Sequence, residues 1–240
     1  MGTDEVRADV ELTNLDQSLF DGADATKRDL VDYLDALSPP MVTQLADRPL
    51  SVVRVLRGQA PFMQKNIPKY TPDWVRTVSM WAERSKRDVA YALCNDRRTL
   101  LWFANQRAVE YHPTLFRVDE WDRPTHLVLD IDPPAGDAFD LAARAANLVR
   151  AALTEAGLAG QVKTSGAKGV HVFVPIRSAS AEEAAAATRA LAVRAEGLDP
   201  SLATTAFVRD ERGGKVFLDS TRAGGATVVA AYSPRLRPGT

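Results

Sequence analysis

The stretch His126-Leu127-Val128-Leu129-Asp130-Ile131-Asp132-Pro133-Pro134 decides how the chain reads. Residues 127–132 are rich in branched side chains and alternate between apolar and acidic, as a half-buried strand does. A strand turns successive side chains to opposite faces, so Leu127, Leu129 and Ile131 point into a core. Asp130 and Asp132 point the other way, about 6.6 Å apart along the backbone at a strand's rise per residue. Pro133 and Pro134 end the strand, because proline has no ladder donor. Two carboxylates on one face at a strand end suit a hard divalent cation. Equally, one Asp can cap the following turn while the other is solvated. On these nine residues alone both readings stand.

The composition around them is that of an ordinary globular chain. With 240 residues, 45% of them hydrophobic and 25% charged, there is material for one large domain or two small ones. The net charge of −1 excludes a polycation, so any nucleic-acid contact must use locally gathered positive charge. The single cysteine, Cys94, excludes an internal disulfide and a thiolate zinc cluster, fits a reducing cytosol and reads as a core residue. The acidic start lacks an apolar signal core and no run is long enough for a membrane helix, so a cytoplasmic address without a membrane partner is expected.

Outward from the central stretch, residues 139–155 have helical apolar spacing and stop at Gly157. Residues 162–175 read as strand, Gly-rich turn and strand. Ser180 and Glu183 form a capping box for a helix to Glu196. Lys215–Asp219 is a strand ending in a carboxylate, and Thr227–Tyr232 is predicted as a last strand. Arg237–Thr240 reads as a loop, so the domain is expected to continue past the end of the chain.

Upstream, residues 10–20 give a short strand and a turn. Thr26 and Asp29 cap a helix that runs to Pro39-Pro40, with Lys27 and Arg28 as solvated charges in its first turn. Residues 50–56 are a strand in which Arg54, set among apolar neighbours, calls for an acidic or phosphate partner. Strands are predicted at Trp74–Trp81, Val89–Cys94 and Leu100–Ala104, and a short helical piece at Asn105–Glu110. Arg84, Lys86 and Arg87 lie at one hairpin tip, and Asp96-Arg97-Arg98 forms a second cationic turn. Solvated tips or phosphate contacts would each explain them. With no composition break, we read one domain over residues 1–240. Its class is α/β (α+β), with a mixed, mostly antiparallel central sheet flanked by helices.

Three elements carry chemistry. Asp130, Asp132 and Asp219 lie on strands as the ligands of two divalent ions would, and with three histidines and one cysteine in the chain Mg²⁺ or Mn²⁺ fits better than zinc. Ser165-Gly166-Ala167-Lys168-Gly169, followed by His171, can aim backbone N–H groups and an ammonium at a phosphate chain. Arg54, Lys215 and Arg235 supply cations for a triphosphate.

This combination resembles the archaeo-eukaryotic primase superfamily, and within it the polymerase domain of bacterial ligase D and its stand-alone primase-polymerase relatives. The resemblance runs from Asn14-Leu15-Asp16 to Tyr232-Ser233-Pro234-Arg235, and rests on Leu129–Pro133, Ser165–His171 and Val216–Asp219 in that order. It implies that Asp130, Asp132 and Asp219 are the catalytic metal ligands. Ser165, Lys168, Gly169 and His171 would hold the phosphates of a nucleoside triphosphate, assisted by Lys215 and Arg235, with His112 at the sugar. Lys65, with Phe62 and Gln64, would face nucleotide and template, and the tip from Arg84 to Arg87 the template strand. Asn14 and Lys27 match a 5′-phosphate pocket in which Gln17 replaces a usual lysine. After Asp219 the family's aromatic residue and Asn give way to Ser220 and Ala223-Gly224-Gly225.

The implied activity is template-directed addition of ribo- or deoxyribonucleotides to primer 3′ ends, in gap filling, end joining or repair. Primer-template, gapped or broken DNA, Ku and a separate ligase are the implied partners, close to the bacterial nucleoid. A catalytically weak end-bridging module would need the cationic tips without the three Asp. An Asp-nucleophile phosphatase would want Thr or Val where Pro134 stands. Taken singly, His112, His126 and His171 read as structural histidines, and Trp74, Trp81, Trp102 and Trp121 as packing residues.

Overall fold

The computed structural model describes residues 5–20, 22–82, 86–136, 138–224 and 226–236. It begins with a hairpin of β1 (Glu5–Arg7) and β2 (Val10–Leu12). Thr26 then starts α1 (Lys27–Ala36): its hydroxyl accepts the Asp29 N–H, and the Asp29 carboxylate accepts the Thr26 N–H at 2.7 Å. This satisfies two backbone donors that the first helical turn leaves free. Pro39 and Pro40 do not lead into a loop. They open a second helix, α2 (Ser38–Leu45), whose first turn has no use for the N–H that proline lacks.

Next come β3 (Pro49–Arg54), β4 (Phe62–Gln64), β5 (Thr77–Ala82) and β6 (Arg87–Leu93). The strand predicted at Leu100–Ala104 is instead part of a helix, α3 (Arg97–Asn105). Asp96, read as part of a cationic turn, is its cap and accepts the Thr99 N–H at 2.7 Å. Every residue from Thr99 to Ala104 is buried, so the polar stripe that marks a helix in sequence is missing. Arg97 pairs with Asp35 and Arg98 lies over the Trp74 ring, so this turn is structural. Of the helical piece predicted at 105–110, Asn105 ends α3 and residues 108–110 belong to β7 (Ala108–Pro113).

The chain divides into two units, Met1–Thr114 with Val228–Thr240, and Leu115–Thr227. In the first, β3 pairs with β7 along one edge and with β6 and then β4 along the other, and β5 pairs with β6. All of these pairs are antiparallel. Leu34 of α1, Met41 of α2 and Leu101 of α3 join Val52 and Tyr111 in its core. Residues 227–232 are not a strand: Val228 and Ala230 donate to Pro113 and Tyr111, but the Tyr111 N–H goes to the Ser233 hydroxyl, so no ladder forms. Cys94 is buried there, as predicted. Trp102 is buried as well, whereas Trp81 and Trp121 are exposed.

The second unit holds β8 (His126–Asp132), α4 (Phe139–Glu155), β9 (Gln161–Thr164), β10 (Val170–Pro175), α5 (Ala181–Leu198), β11 (Ala203–Thr204) and β12 (Val216–Asp219). Its sheet order is β11-β12-β8-β10-β9, parallel only between β11 and β12. Leu127, Leu129, Ile131, Val170, Val172 and Leu218 form a core with α4 and α5. Both helices lie where their spacing predicts, and the Ser180–Glu183 capping box is formed. The α+β, mostly antiparallel architecture is thus present, with a five-stranded sheet in each unit where one central sheet was predicted. Among the described residues no helix is long and apolar enough to cross a membrane.

Replacing Asp96 with Ala should cost about 1 kcal/mol, since it strips the cap from α3. A urea titration followed by circular dichroism should show a lower midpoint at an unchanged slope.

Candidate active site

Strand β8 is the middle strand of its sheet, and its residue alternation builds the site. The odd-numbered residues face the helices. Asp130 and Asp132 face the other way, in register with β10 and β12, where His171 and Asp219 stand directly opposite Asp130. Asp130 is buried and lies 3.2 Å from His171 Nε2. The other ring nitrogen, Nδ1, is buried without a partner among the described residues. Arg222, in a short 3-10 turn after β12, reaches back between two carboxylates, 2.9 Å from Asp130 and 3.3 Å from Asp219. Asp219 also accepts the Thr221 N–H and hydroxyl at 2.8 and 2.6 Å.

The Gly-rich turn joins β9 to β10 beside this face. Ser165 is buried, and its hydroxyl accepts the N–H groups of Ala167 and Gly169, each at 3.2 Å. The Ser165 N–H donates to the Gly169 carbonyl at 2.9 Å, and Gly166 supplies a positive φ of 67°. Lys168 is exposed on the turn, and Lys215 is half-buried just before β12. Gly169 packs directly on β8: a Cβ there would lie 1.8 Å from the Ile131 carbonyl oxygen. Only glycine lets the turn come this close to the carboxylate strand.

Burial opposes ionisation of Asp130, but His171 and Arg222 outweigh it and hold this carboxyl below the usual range. Asp132 is half-buried and goes the other way: burial, then the neighbouring charges of Asp130 and Asp219, raise it, with Arg222 only partly offsetting them. As they stand, no three His, Cys, Asp or Glu side chains among the described residues are grouped to hold a metal ion. The donor set nevertheless suits a hard divalent cation, being all oxygen, and it already draws in one cation, Arg222.

The other predicted residues belong to the first unit. Glu110 of β7 takes His112 Nε2 at 2.9 Å, Arg235 Nε at 3.3 Å and the Leu236 N–H at 3.0 Å. Arg54 is buried but has neutral partners: Gln106 through its carbonyl and side chain, Gln64 and the Tyr70 hydroxyl. The acid or phosphate predicted for it is not among them. Lys27 is 3% exposed, and its ammonium donates to the Thr13 carbonyl and Asn105, so it is not a solvated charge. Asn14 and Gln17 are exposed and bonded to each other at 3.2 Å. Phe62, Lys65, Lys86 and Arg87 are exposed; Arg84 lies outside the described residues.

Comparison with known proteins places this arrangement. Residues 26–240 match the LigD primase-polymerase domain. The chain belongs to that family. It is 32% identical over 235 residues to the bifunctional non-homologous end joining protein LigD of Bacillus subtilis, covering 96% of this chain and 37% of that protein. The multifunctional LigD of Mycolicibacterium smegmatis is 32% identical over 234 residues, covering 95% of this chain and 30% of that protein. The chain thus spans about a third of the length of these relatives. Among solved structures, the polymerase domain of Mycobacterium tuberculosis ligase D in complex with DNA superposes with a TM-score of 0.86 at 32% identity, over 95% of this chain and 83% of that one.

Sequence reasoning passed over two charged partners of the predicted residues, one in each unit. Arg222 stands three positions after Asp219, a spacing that closes an ion pair only once the 3-10 turn is known. Glu110 was read as part of a helix, where it would not share a strand face with His112.

Two substitutions test the geometry. Gly169→Ala should cost about 3 kcal/mol or more, because the methyl group must displace backbone and not a flexible side chain. Thermal unfolding of the variant reads this directly. Asp132→Asn should stabilise the protein at pH 7 by about 1 kcal/mol, raising Tm by about 2–4 °C. A raised carboxyl costs stability only where it is ionised, so the gain should vanish as the pH falls and Asp132 is protonated in the folded state. Melting curves at pH 7 and pH 4 check the sign.

Proposed function

We propose that the chain is a template-directed nucleotidyltransferase that adds nucleotides to primer 3′ ends during the joining or repair of broken or gapped DNA. The observation that carries this reading is the register of Asp130 with His171 on one side and Asp219 on the other, beside the Ser165–Gly169 turn. Membership of the LigD primase-polymerase family and the likeness to a polymerase domain solved with DNA support it.

Asp130, Asp132 and Asp219 would hold two divalent ions, Mg²⁺ or Mn²⁺, whose Lewis acidity activates an attacking oxygen and stabilises a leaving one. The protein's own residues do the rest by position and charge. The primer hydroxyl attacks the α-phosphate of a nucleoside triphosphate, the bond to the β-phosphate breaks, and pyrophosphate leaves. No side chain needs to act as a nucleophile, so Ser165 stays unmodified: its hydroxyl is engaged in holding the turn. That turn presents Lys168 to the phosphates. His171 orients Asp130 and keeps it ionised, and Arg222, which sits between Asp130 and Asp219, would have to yield that place for them to hold metal ions. The assignment of His112 and Lys65 to the nucleotide rests on the motif resemblance, that of Arg54 on its charge, and that of Lys215 and Arg235 on both. The assignment of Asn14, Gln17, Lys27, Phe62, Gln64, Lys86 and Arg87 to DNA rests on the resemblance. A DNA ligase to seal the nick and Ku as the end-binding protein are the proposed partners.

The test is extension of a labelled gapped primer with ribo- and deoxyribonucleoside triphosphates in Mn²⁺ or Mg²⁺, comparing wild type with Asp130→Ala/Asp132→Ala. Extension by wild type alone, with the variant at background, is expected. DNA binding without extension in either metal would sink the polymerase reading and leave an end-bridging role.

A further inference from the structure

Strand β9 is the outer edge of its sheet, and α4 leaves it uncovered. Between them runs a groove of about 600 Å³ whose floor includes Leu153, Val162 and Val172. Val162 is 64% exposed although it lies opposite the buried Val172 in the β9–β10 register. No carboxylate lines this groove among the described residues, whereas Arg150 stands at its rim and Lys163 on β9.

The edge has a defined hydrogen-bonding register. Ser165 donates to Gly169 across the turn, so by antiparallel alternation Lys163 and Gln161 direct their main-chain groups at β10. Val162 and Thr164 therefore turn theirs outward, where the Thr164 carbonyl accepts the Lys163 ammonium at 3.2 Å. A strand laid along this edge would place every second side chain over Val162, in the apolar groove. The intervening side chains would lie on the opposite face, beside Lys163, whose ammonium is 5.9 Å from the Phe173 ring there. The residue types that satisfy both faces are apolar and acidic in alternation. A second copy of this chain pairing edge to edge would instead bring two Lys163 side chains to one face, which disfavours it. The apolar floor offers nothing to a nucleic-acid backbone.

We propose that this groove takes an extended segment of a partner protein, alternately apolar and acidic, which adds to β9 as a sixth strand. Main-chain bonds to Val162 and to the Thr164 N–H supply affinity, while the groove and an acidic side chain that draws Lys163 from the Thr164 carbonyl select the sequence. The site lies wholly within the second unit and does not depend on the catalytic reading.

The experiment is selection of a phage-displayed random nonapeptide library on the whole chain, with Val162→Glu as counter-selection. Val162 is already exposed, so the variant should fold; Arg150→Glu, also at the surface, provides an independent second variant. Enriched peptides should alternate apolar and acidic residues. Either substitution, or N-methylation of alternate peptide amides, should weaken a synthetic copy about tenfold, and hydrogen exchange at the Val162 and Thr164 amides should slow on binding. The proposal fails if enrichment is absent, if the selected sequences are basic, or if both variants bind them as well as wild type does. It fails equally if a single-stranded oligonucleotide, and no peptide, is what loses affinity in the variants.

Discussion

Everything in the second unit follows from the two-residue period of one buried strand. β8 has sheet on both sides, so neither face is free to be simply polar. Its odd positions meet α4 and α5 and are apolar. Its even positions gather carboxylates from β8 and β12 on one half-buried patch, and such a patch is tolerable only with positive charge or hydrogen-bond donors beside it. His171, Arg222 and Thr221 answer that need in the protein itself. The same unfavourable gathering of charge is what the proposed divalent ions would relieve.

Where signals are local, the sequence was readable. Capping boxes at Thr26 and Ser180, apolar spacing in α4 and the Gly-rich turn between two strands each fix a structure within a few residues, and each is found where predicted. Reading failed where burial removes the contrast. Thr99–Ala104 is buried all round, so it reads as a strand, although Asp96 was there to cap a helix. Pro39-Pro40 marks a boundary without saying whether a loop or a new helix follows. Residues 227–232 look like a strand in composition, but whether a ladder closes depends on the distant Tyr111 N–H, which Ser233 takes.

The site shows the same division. Asp130, Asp132 and Asp219 were legible because a strand projects its alternation into space, and the register brings Asp219 opposite Asp130. Arg222, which helps set their charge, was not, because it comes from a turn. In the first unit, Lys27 is an internal donor to Thr13 and Asn105 instead of the surface charge its helix-end position suggested. The acidic or phosphate partner foreseen for Arg54 is replaced by amides, a carbonyl and a phenol, which sequence spacing gives no means of pairing with it.

The contact of Gly169 with the Ile131 carbonyl carries a consequence for mechanics. Backbone lies on backbone there, with no side chain between to compress or rotate. The turn that would meet phosphate and the strand that bears the carboxylates therefore share one rigid joint. A displacement of either is transmitted to the other almost undiminished, and there is no rotamer through which the spacing between them could be adjusted.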